Sequence, residues 1–216
     1  MIRACMILGG DIDSSTEFIK DEINKTKFIV GVDSGTDVLR RINILPDVLI
    51  GDLDSISADT LLWIDENEVE KHVFKPEKDF TDFHLSMKYV GEKGVTDISI
   101  LGAFGNREDH FYGNLITALD FSKNMKVILK SENRNCGFLY GENHLDVKIG
   151  EIWSFFPFGE ELPVISLNGF KYKLAEKTLD YSNPLGVSNI SKENTITVTV
   201  HNRAPVLYFR YLGKKL

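Results

Sequence analysis

The stretch Leu49-Ile50-Gly51-Asp52-Leu53-Asp54-Ser55 joins an apolar run, typical of a buried strand, to two closely spaced carboxylates. Side chains alternate between the two sides of an extended backbone, so Asp52 and Asp54 are expected on the same side. Two anionic groups this close repel each other. This repulsion is relieved when one of them takes a proton or when a cation lies between them. Mg²⁺ is the usual cation, and it binds through one or two carboxylates together with phosphate oxygens. The motif therefore indicates a site for a phosphate ester, with a solvated acidic turn as the alternative.

The composition is that of a globular protein with one large domain or two small ones. The chain has 216 residues, of which 43% are hydrophobic, enough for a sizeable core. Its formal net charge of −7 argues against a nucleic-acid partner, because a phosphate backbone requires a basic surface. A nucleotide remains compatible with this charge where a metal ion and a few local cations screen its phosphates.

The cysteines and the first apolar run bear on the compartment. Cys5 and Cys136 are far apart and lack metal-ligand spacing, so both are interpreted as buried hydrophobic residues of a reducing cytoplasm. The first apolar run, residues 4–8, is too short for a signal-peptide core or a membrane span. The sequence therefore predicts a cytoplasmic protein without a membrane partner.

The first part of the chain alternates short apolar runs with amphipathic stretches that are predicted to be helices. Ser15 and Ser57 are the predicted N-caps of two of these helices. This alternation indicates crossover connections and a mainly parallel sheet with flanking helices, an α/β fold. The predicted strands of this part cover residues 3–8, 28–32, 47–50, 69–74, 97–101 and 126–130.

After about Ser131 the apolar runs become short and are separated by Gly, Asn and Pro, without a convincing helix. This pattern is typical of a small antiparallel β-sandwich. We place the join in the polar patch 131–137 and predict an α/β domain over 1–132 and a β-sandwich domain over 133–216. The predicted strands of the second part cover residues 138–140, 144–149, 152–156, 164–167, 195–200 and 206–211.

Charged motifs follow four successive predicted strands of the first part. Open parallel sheets bind ligands at the carboxyl ends of their strands, so these motifs are expected to converge on one site. They are Asp33 after the second strand, Asp52 and Asp54 after the third, Lys78-Asp79-Phe80-Thr81-Asp82 after the fourth, and Gly102 to His110 after the fifth.

Several motif residues have a structural alternative. Thr81 and Asp82 open a helix, where caps are common, but a helix N-terminus beside Lys78 also attracts phosphate, and Asp82 could instead complete the metal site. Arg107 can bind a phosphate with two N–H groups or can be an ordinary exposed residue. Asp109 can simply cap its helix.

His110 and Asn114 lie four residues apart and share a helical face, where a structural role for the histidine is the alternative. The segment Gly186-Val187-Ser188-Asn189 has the composition of an ordinary turn. Neither observation by itself assigns a function.

Taken together and in order, five motifs resemble the thiamine pyrophosphokinase family. The resemblance implies an α/β domain followed by a β-sandwich. It also implies transfer of a diphosphate group from ATP to the hydroxyl of thiamine, a requirement for Mg²⁺, and a homodimer whose active sites use both chains. The motifs are Asp33 to Gly35, Gly51 to Ser55, Lys78 to Asp82, Gly105 to His110 with Asn114, and Gly186 to Asn189.

The resemblance also implies a role for each matching residue. Two positions depart from the family pattern: Asn106, where bacterial members often have Gly, and Ile190, where many have Glu. The implied roles are Mg²⁺ binding and catalysis for Asp52, Asp54 and Asp82, ATP or phosphate binding for Asp33, Lys78, Asp79, Thr81, Arg107, Asp109 and His110, and thiamine binding for Ser188 and Asn189.

Other hypotheses stay open at this point. The carboxylates and the α/β core also suit a pyrophosphokinase for another hydroxymethyl heterocycle, such as a pterin. A non-catalytic sensor of thiamine or nucleotide could keep the same pocket. A purely structural α/β protein would leave four charged strand ends unexplained, and the residues do not identify a general base.

Overall fold

The computed structural model describes residues 1–10, 12–75, 79–105 and 107–213. They form two compact units, Met1–Glu132 and Asn133–Leu216. Among the described helices, none combines the length and apolar character that crossing a lipid bilayer requires.

The first unit contains a parallel sheet with strand order β6-β5-β1-β2-β3-β4 and helices in the connections. Its strands are β1 (Ile2–Ile7), β2 (Phe28–Val32), β3 (Val48–Gly51), β4 (Glu70–Val73), β5 (Val95–Leu101) and β6 (Lys126–Lys130). Its helices are α1 (Thr16–Asn24), α2 (Gly35–Arg41), α3 (Ala58–Glu66), α4 (Asp82–Glu92) and α5 (Glu108–Ser122).

Burial and capping explain these elements. Every residue of β3 is buried, as expected for a central strand covered on both faces. Helix α1 packs Ile19 and Ile23 against Ile7 of β1 and Leu39 of α2 in one apolar cluster. Fully burying a side chain of this size stabilises the fold by about 1.5–3 kcal/mol. Helices α1, α3 and α4 each begin after a Ser or Thr whose hydroxyl accepts a backbone N–H, which confirms the predicted caps.

Helix α1 is bound at both ends to the region where β6 ends. The backbone N–H of Ser15 donates to a Glu132 carboxylate oxygen at 2.8 Å, and the N–H of Glu132 donates to Ser14 Oγ at 3.0 Å. Further along α1, buried Glu22 accepts from Lys130 at 2.8 Å and from Lys25 at 2.6 Å. Burial raises the pKa of the Glu22 carboxyl, but the hydrogen bonds from these two lysines outweigh it and leave the pKa lowered.

The second unit consists of two antiparallel sheets, with strand orders β12-β9-β14-β7 and β11-β10-β13-β8. Their inner faces share one core that includes Trp153, Phe155, Ile165 and Val198. This arrangement is a β-sandwich. Its strands are β7 (Arg134–Leu139), β8 (Glu142–Asp146), β9 (Ile152–Pro157), β10 (Val164–Asn168), β11 (Leu174–Thr178), β12 (Asn189–Ile190), β13 (Thr195–Val200) and β14 (Val206–Tyr211).

The predicted fold class, α/β with a mainly parallel sheet followed by an antiparallel sandwich, is confirmed. Three details differ from the sequence prediction. Residues 134–137, predicted as part of a polar patch, begin β7, because polar Asn135 alternates with buried Cys136 along the strand. Strand β11 is mostly exposed and carries no apolar run, and β12 has only two residues, so neither has the periodicity of a strand.

Candidate active site

A cavity of about 840 Å³ opens at the carboxyl ends of the parallel strands of the first unit. Segments that follow β1, β2, β3, β4 and β5 all contribute to its lining, which confirms the expected convergence of the charged motifs. The sequence-predicted residues that line it are Asp33, Asp52, Asp79, Thr81, Asp82, Arg107, Asp109 and His110.

Three carboxylates come together in this cavity. Asp33, Asp52 and Asp82 each offer one oxygen, and these oxygens all lie within 4.8 Å of one another. We call them the carboxylate trio. All three side chains are half-buried, so their mutual repulsion is only partly screened by water. Hard oxygen donors in this number suit a Mg²⁺ ion that completes its shell with water and phosphate oxygens.

Asp33 reaches the trio because the backbone around it is unusual. Its φ of 44° places it in the left-handed region, and its backbone carbonyl accepts the N–H of Thr36. Its Oδ1 accepts the N–H of Leu53 at 3.2 Å. A Cβ atom on Gly51 would lie 1.6 Å from that oxygen. Glycine at position 51 therefore makes room for the Asp33 carboxylate.

The sequence predicts a metal site of Asp52, Asp54 and Asp82, whereas Asp54 does not belong to the trio in the structure. Side chains do not alternate from Asp52 to Asp54 as expected, because the extended backbone ends at Gly51 and Leu53 has a φ of 66°. The N–H of Asp54 instead donates to Asp52 Oδ1 at 3.3 Å, the hydrogen bond of an Asx-turn, and Asp54 is exposed.

Residues 79–82 of the motif that follows β4 form the N-terminus of α4. Thr81 is the N-cap, and its hydroxyl accepts the N–H of His84 at 3.2 Å. Asp82 is the first helical residue and points a carboxylate into the trio. Thr81 therefore has the structural role of a cap, and both residues also line the cavity, where their functional roles stay predictions. Lys78, the predicted phosphate ligand of this motif, lies outside the described residues, as does Asn106.

Arg107 and Asp109 form an ion pair at the opening of α5. Arg107 Nε donates to Asp109 Oδ1 at 3.1 Å, and a terminal nitrogen donates to Oδ2 at 2.5 Å. The hydrogen bonds from Arg107 lower the pKa of the exposed Asp109 carboxyl to about 2. The alternative that Asp109 is the N-cap is wrong, because Arg107 occupies that position, without a capping hydrogen bond from its own side chain, and Asp109 lies in the first turn of α5.

His110 and Asn114 both line the cavity from α5, as their shared helical face predicts. Asn114 Nδ2 donates to the backbone carbonyl of Ala103 at 3.1 Å, which ties the helix to the glycine-rich segment before it. His110 is exposed. The cavity thus presents a carboxylate trio, a helix N-terminus and a guanidinium group, a set that suits a metal-bound polyphosphate.

The two residues predicted to bind thiamine lie in the second unit and differ from each other. Ser188 is exposed and has a φ of 56°. Asn189 is only 3% exposed. Its amide accepts the N–H of Tyr172 at 2.9 Å and donates to the carbonyl of the same residue at 2.7 Å. Its side chain is therefore engaged in hydrogen bonds within the fold, and its contact with thiamine stays a prediction.

Further residues line the cavity without having been predicted from the sequence. Phe80 is the most informative, because it lies inside the motif that follows β4 and is 53% exposed although it is aromatic. Asp33 was assigned to the nucleotide and not to the metal, since no local pattern shows that it meets Asp52. The other lining residues without a predicted role lie inside or next to a motif, except for three that follow β1, where no site motif is predicted. The former include Val32, Ser34, Ser55, Phe83 and Gly113, and the latter are Leu8, Gly9 and Gly10.

Two family models match the chain, one in each unit. Residues 19–129 match the model described as "Thiamin pyrophosphokinase, catalytic domain". Residues 142–207 match "Thiamin pyrophosphokinase, vitamin B1 binding domain". The first match contains the trio and the described residues that line the cavity between positions 32 and 114.

Individual proteins agree with the family models. Thiamine pyrophosphokinase from Bacillus subtilis is 33% identical over 163 residues, which cover 74% of this chain and 76% of that protein. Thiamine pyrophosphokinase 1 from Oryza sativa is 27% identical, and the match spans 64% of its length. The crystal structure of thiamine pyrophosphokinase from Bacillus subtilis superposes with a TM-score of 0.85 at 27% identity, covering 98% of this chain and 100% of that one.

Proposed function

The chain belongs to the thiamin pyrophosphokinase family, and from that premise we propose that it transfers a diphosphate group from ATP to the hydroxyl of thiamine, giving thiamine diphosphate and AMP. The observation that carries the proposal is the carboxylate trio of Asp33, Asp52 and Asp82, whose oxygens lie within 4.8 Å of one another at the strand ends of the unit that matches the catalytic model. These groups suit a polyphosphate that arrives with a divalent cation.

We propose that the trio holds Mg²⁺. The donor set fits the ion, because it consists of carboxylate oxygens on three different segments. When bound, the ion offsets negative charge on the phosphate oxygens. Asp54 stays in the proposal as an outer carboxylate beside Asp52.

The protein's own groups then position the reactants. Phosphate oxygens bind to the N–H groups of the first turn of α4 and to the guanidinium of Arg107. Because Arg107 donates to Asp109 in the structure, it gives up this ion pair when the nucleotide binds. Transfer of a phosphoryl group requires little covalent work from the protein, and positioning and charge neutralisation carry most of the rate. Thiamine is a cation, so the acidic cavity also favours the acceptor.

The proposal extends to the organisation of the molecule. We assign ATP binding to residues 1–132 and thiamine binding to residues 133–216, which the descriptions of the two family models support. In the second domain Ser188, whose side chain is exposed, and the neighbouring Asn189 are the candidates for contact with thiamine. A homodimer with shared active sites rests on the family resemblance. The cytoplasm is supported by the two cysteines, which are buried and free.

The decisive experiment incubates the purified protein with MgATP and thiamine and measures AMP and thiamine diphosphate. Equal amounts of both products are expected, and chelation of divalent cations should stop the reaction. A pterin acceptor that replaces thiamine would favour the related pyrophosphokinase. Thermal stabilisation by thiamine or ATP without release of AMP would favour the sensor.

Variants of single carboxylates test the metal site. Asp52→Asn and Asp54→Ala are each expected to lose on the order of 10³-fold in rate while remaining folded, because a carboxylate near the ion is removed. Asp59→Asn is the matched control, since Asp59 lies exposed in the first turn of α3 and does not line the cavity. Near-normal turnover of Asp52→Asn would overturn the metal site, and near-normal turnover of Asp54→Ala would remove Asp54 from it.

A further inference from the structure

Phe80 is a large apolar side chain at the cavity, and 53% of its surface is exposed. Its ring stacks on the imidazole of His84, with centroids 4.6 Å apart and an interplanar angle of 17°. His84 in turn contacts the ring of Phe121 edge-on at 5.2 Å. The Phe80 ring is therefore held on one face by a supported aromatic pair, and the exposed surface belongs to its other face and its edges.

A purely structural role does not explain this ring. Phe80 directly precedes the N-cap Thr81, where an apolar residue often packs against the fourth helical residue and fixes the entry of the chain. That position here is Leu85, a contact that any apolar side chain at position 80 can make, whereas the stacking on His84 requires a flat ring. An aliphatic side chain would serve the helix equally well, while a flat ring with one supported face is suited to binding another flat ring.

We propose that Phe80, supported by His84, is the surface on which a heteroaromatic ring of a substrate stacks. The inference rests on the proposed function, whose two substrates both carry such rings: the adenine of ATP and the pyrimidine and thiazolium of thiamine. An electron-rich aromatic face attracts electron-poor heterocycles and cations. Because Phe80 lies two residues before Asp82, one short segment contributes both to the ring site and to the carboxylate trio.

Replacing the ring separates the two substrates. Phe80→Leu keeps an apolar side chain but removes the aromatic face, and Phe80→Tyr keeps both. Stacking is present in the ground state and the transition state alike, so Phe80→Leu should raise one KM about tenfold, about 1.4 kcal/mol, and leave kcat nearly unchanged. Phe80→Tyr should restore the KM. Tyr112→Leu is the matched control, since Tyr112 is 58% exposed and does not line the cavity.

The two KM values show which substrate ring stacks on Phe80. A rise in the KM for ATP alone, with an unchanged inhibition constant for inorganic tripolyphosphate, identifies adenine. A rise in the KM for thiamine alone identifies thiamine. Unchanged KM values for both substrates in Phe80→Leu would overturn the inference, as would an equal effect in Phe80→Tyr or a change matched by Tyr112→Leu.

A binding measurement keeps this test separate from catalysis. In Phe80→Trp, stacking should quench the fluorescence of the new indole when ATP or thiamine is added alone, compared with the unchanged chain. An unchanged chain that forms no thiamine diphosphate would refute the proposed function, whatever Phe80 does. An active chain whose indole at position 80 responds to neither substrate would refute the stacking site alone.

Discussion

Replacing Gly51 with alanine tests how Asp33 reaches the carboxylate trio. A Cβ atom on residue 51 would lie 1.6 Å from Asp33 Oδ1 and 2.3 Å from its Cγ. Non-bonded atoms require about 3.5 Å, so the carboxylate must retreat by roughly 2 Å. That movement also breaks the hydrogen bond from the N–H of Leu53 to Asp33 Oδ1. The substitution therefore withdraws one of the three oxygen donors without changing any carboxylate.

The expected loss follows from this displacement. Misplacing a group by 1 Å at a reacting centre costs about 10²-fold in rate. We therefore expect Gly51→Ala to lose about 10²-fold or more in kcat/KM, equivalent to about 2.7 kcal/mol of transition-state stabilisation. The lost hydrogen bond and the strain should lower stability by about 1–3 kcal/mol. Each kcal/mol corresponds to about 2–4 °C in Tm for a chain of this length.

The assay measures kcat/KM from the release of AMP, beside a thermal melt of each variant. Gly91→Ala is the control, because the nearest atom to a Cβ there is Met125 Cε at 3.5 Å and the residue lies within α4. It should keep its activity and gain up to about 1 kcal/mol of stability. A folded Gly51→Ala protein that turns over at nearly the rate of the unchanged chain would refute the proposed placement of Asp33.

Two further predictions concern other parts of the chain. Asn189→Ala removes the buried amide that pairs with both the backbone N–H and the carbonyl of Tyr172 and should lower the free energy of unfolding by about 2–3 kcal/mol, whereas Ser188→Ala should not; equal denaturation midpoints would contradict this. The Asp109 carboxyl, whose pKa the hydrogen bonds from Arg107 lower to about 2, contributes stability above its ordinary pKa of 3.8 and loses it as the pH falls toward 2. In an NMR titration Arg107→Gln should return that pKa toward 3.8, and a carboxyl that already titrates there in the unchanged chain would contradict the ion pair.

Local patterns predicted most elements of the first unit. Ser15, Ser57 and Thr81 are N-caps as expected, because a cap depends on residues within one helical turn. Strands with a continuous apolar run or a clear alternation were also found from the sequence. Strand β11 was not, because an exposed strand with few apolar residues has no hydrophobic period to detect.

The location of the candidate site could be predicted from the sequence, but the set of residues that forms the carboxylate trio could not. The topology of a parallel sheet brings the strand ends together, and this argument needs no side-chain coordinates. In the structure Asp33 takes the place in the trio that was predicted for Asp54. This difference depends on the left-handed backbone at Leu53 and Asp33 and on the space above Gly51. Burial of the Asn189 amide likewise depends on contact with Tyr172, seventeen residues away, which no local pattern reports.

The hydrogen bonds between helix α1 and Glu132 have a consequence for dividing or recombining this chain. A fragment ended at Lys130 would keep every cavity-lining residue, yet it would lose the carboxylate that accepts the N–H of Ser15 and the N–H that Ser14 accepts. Water would then have to replace both hydrogen-bond partners at the start of α1. A chimera that takes its second unit from a relative should therefore be joined after residue 132, so that the Glu132 carboxylate still accepts the N–H of Ser15 at the start of α1.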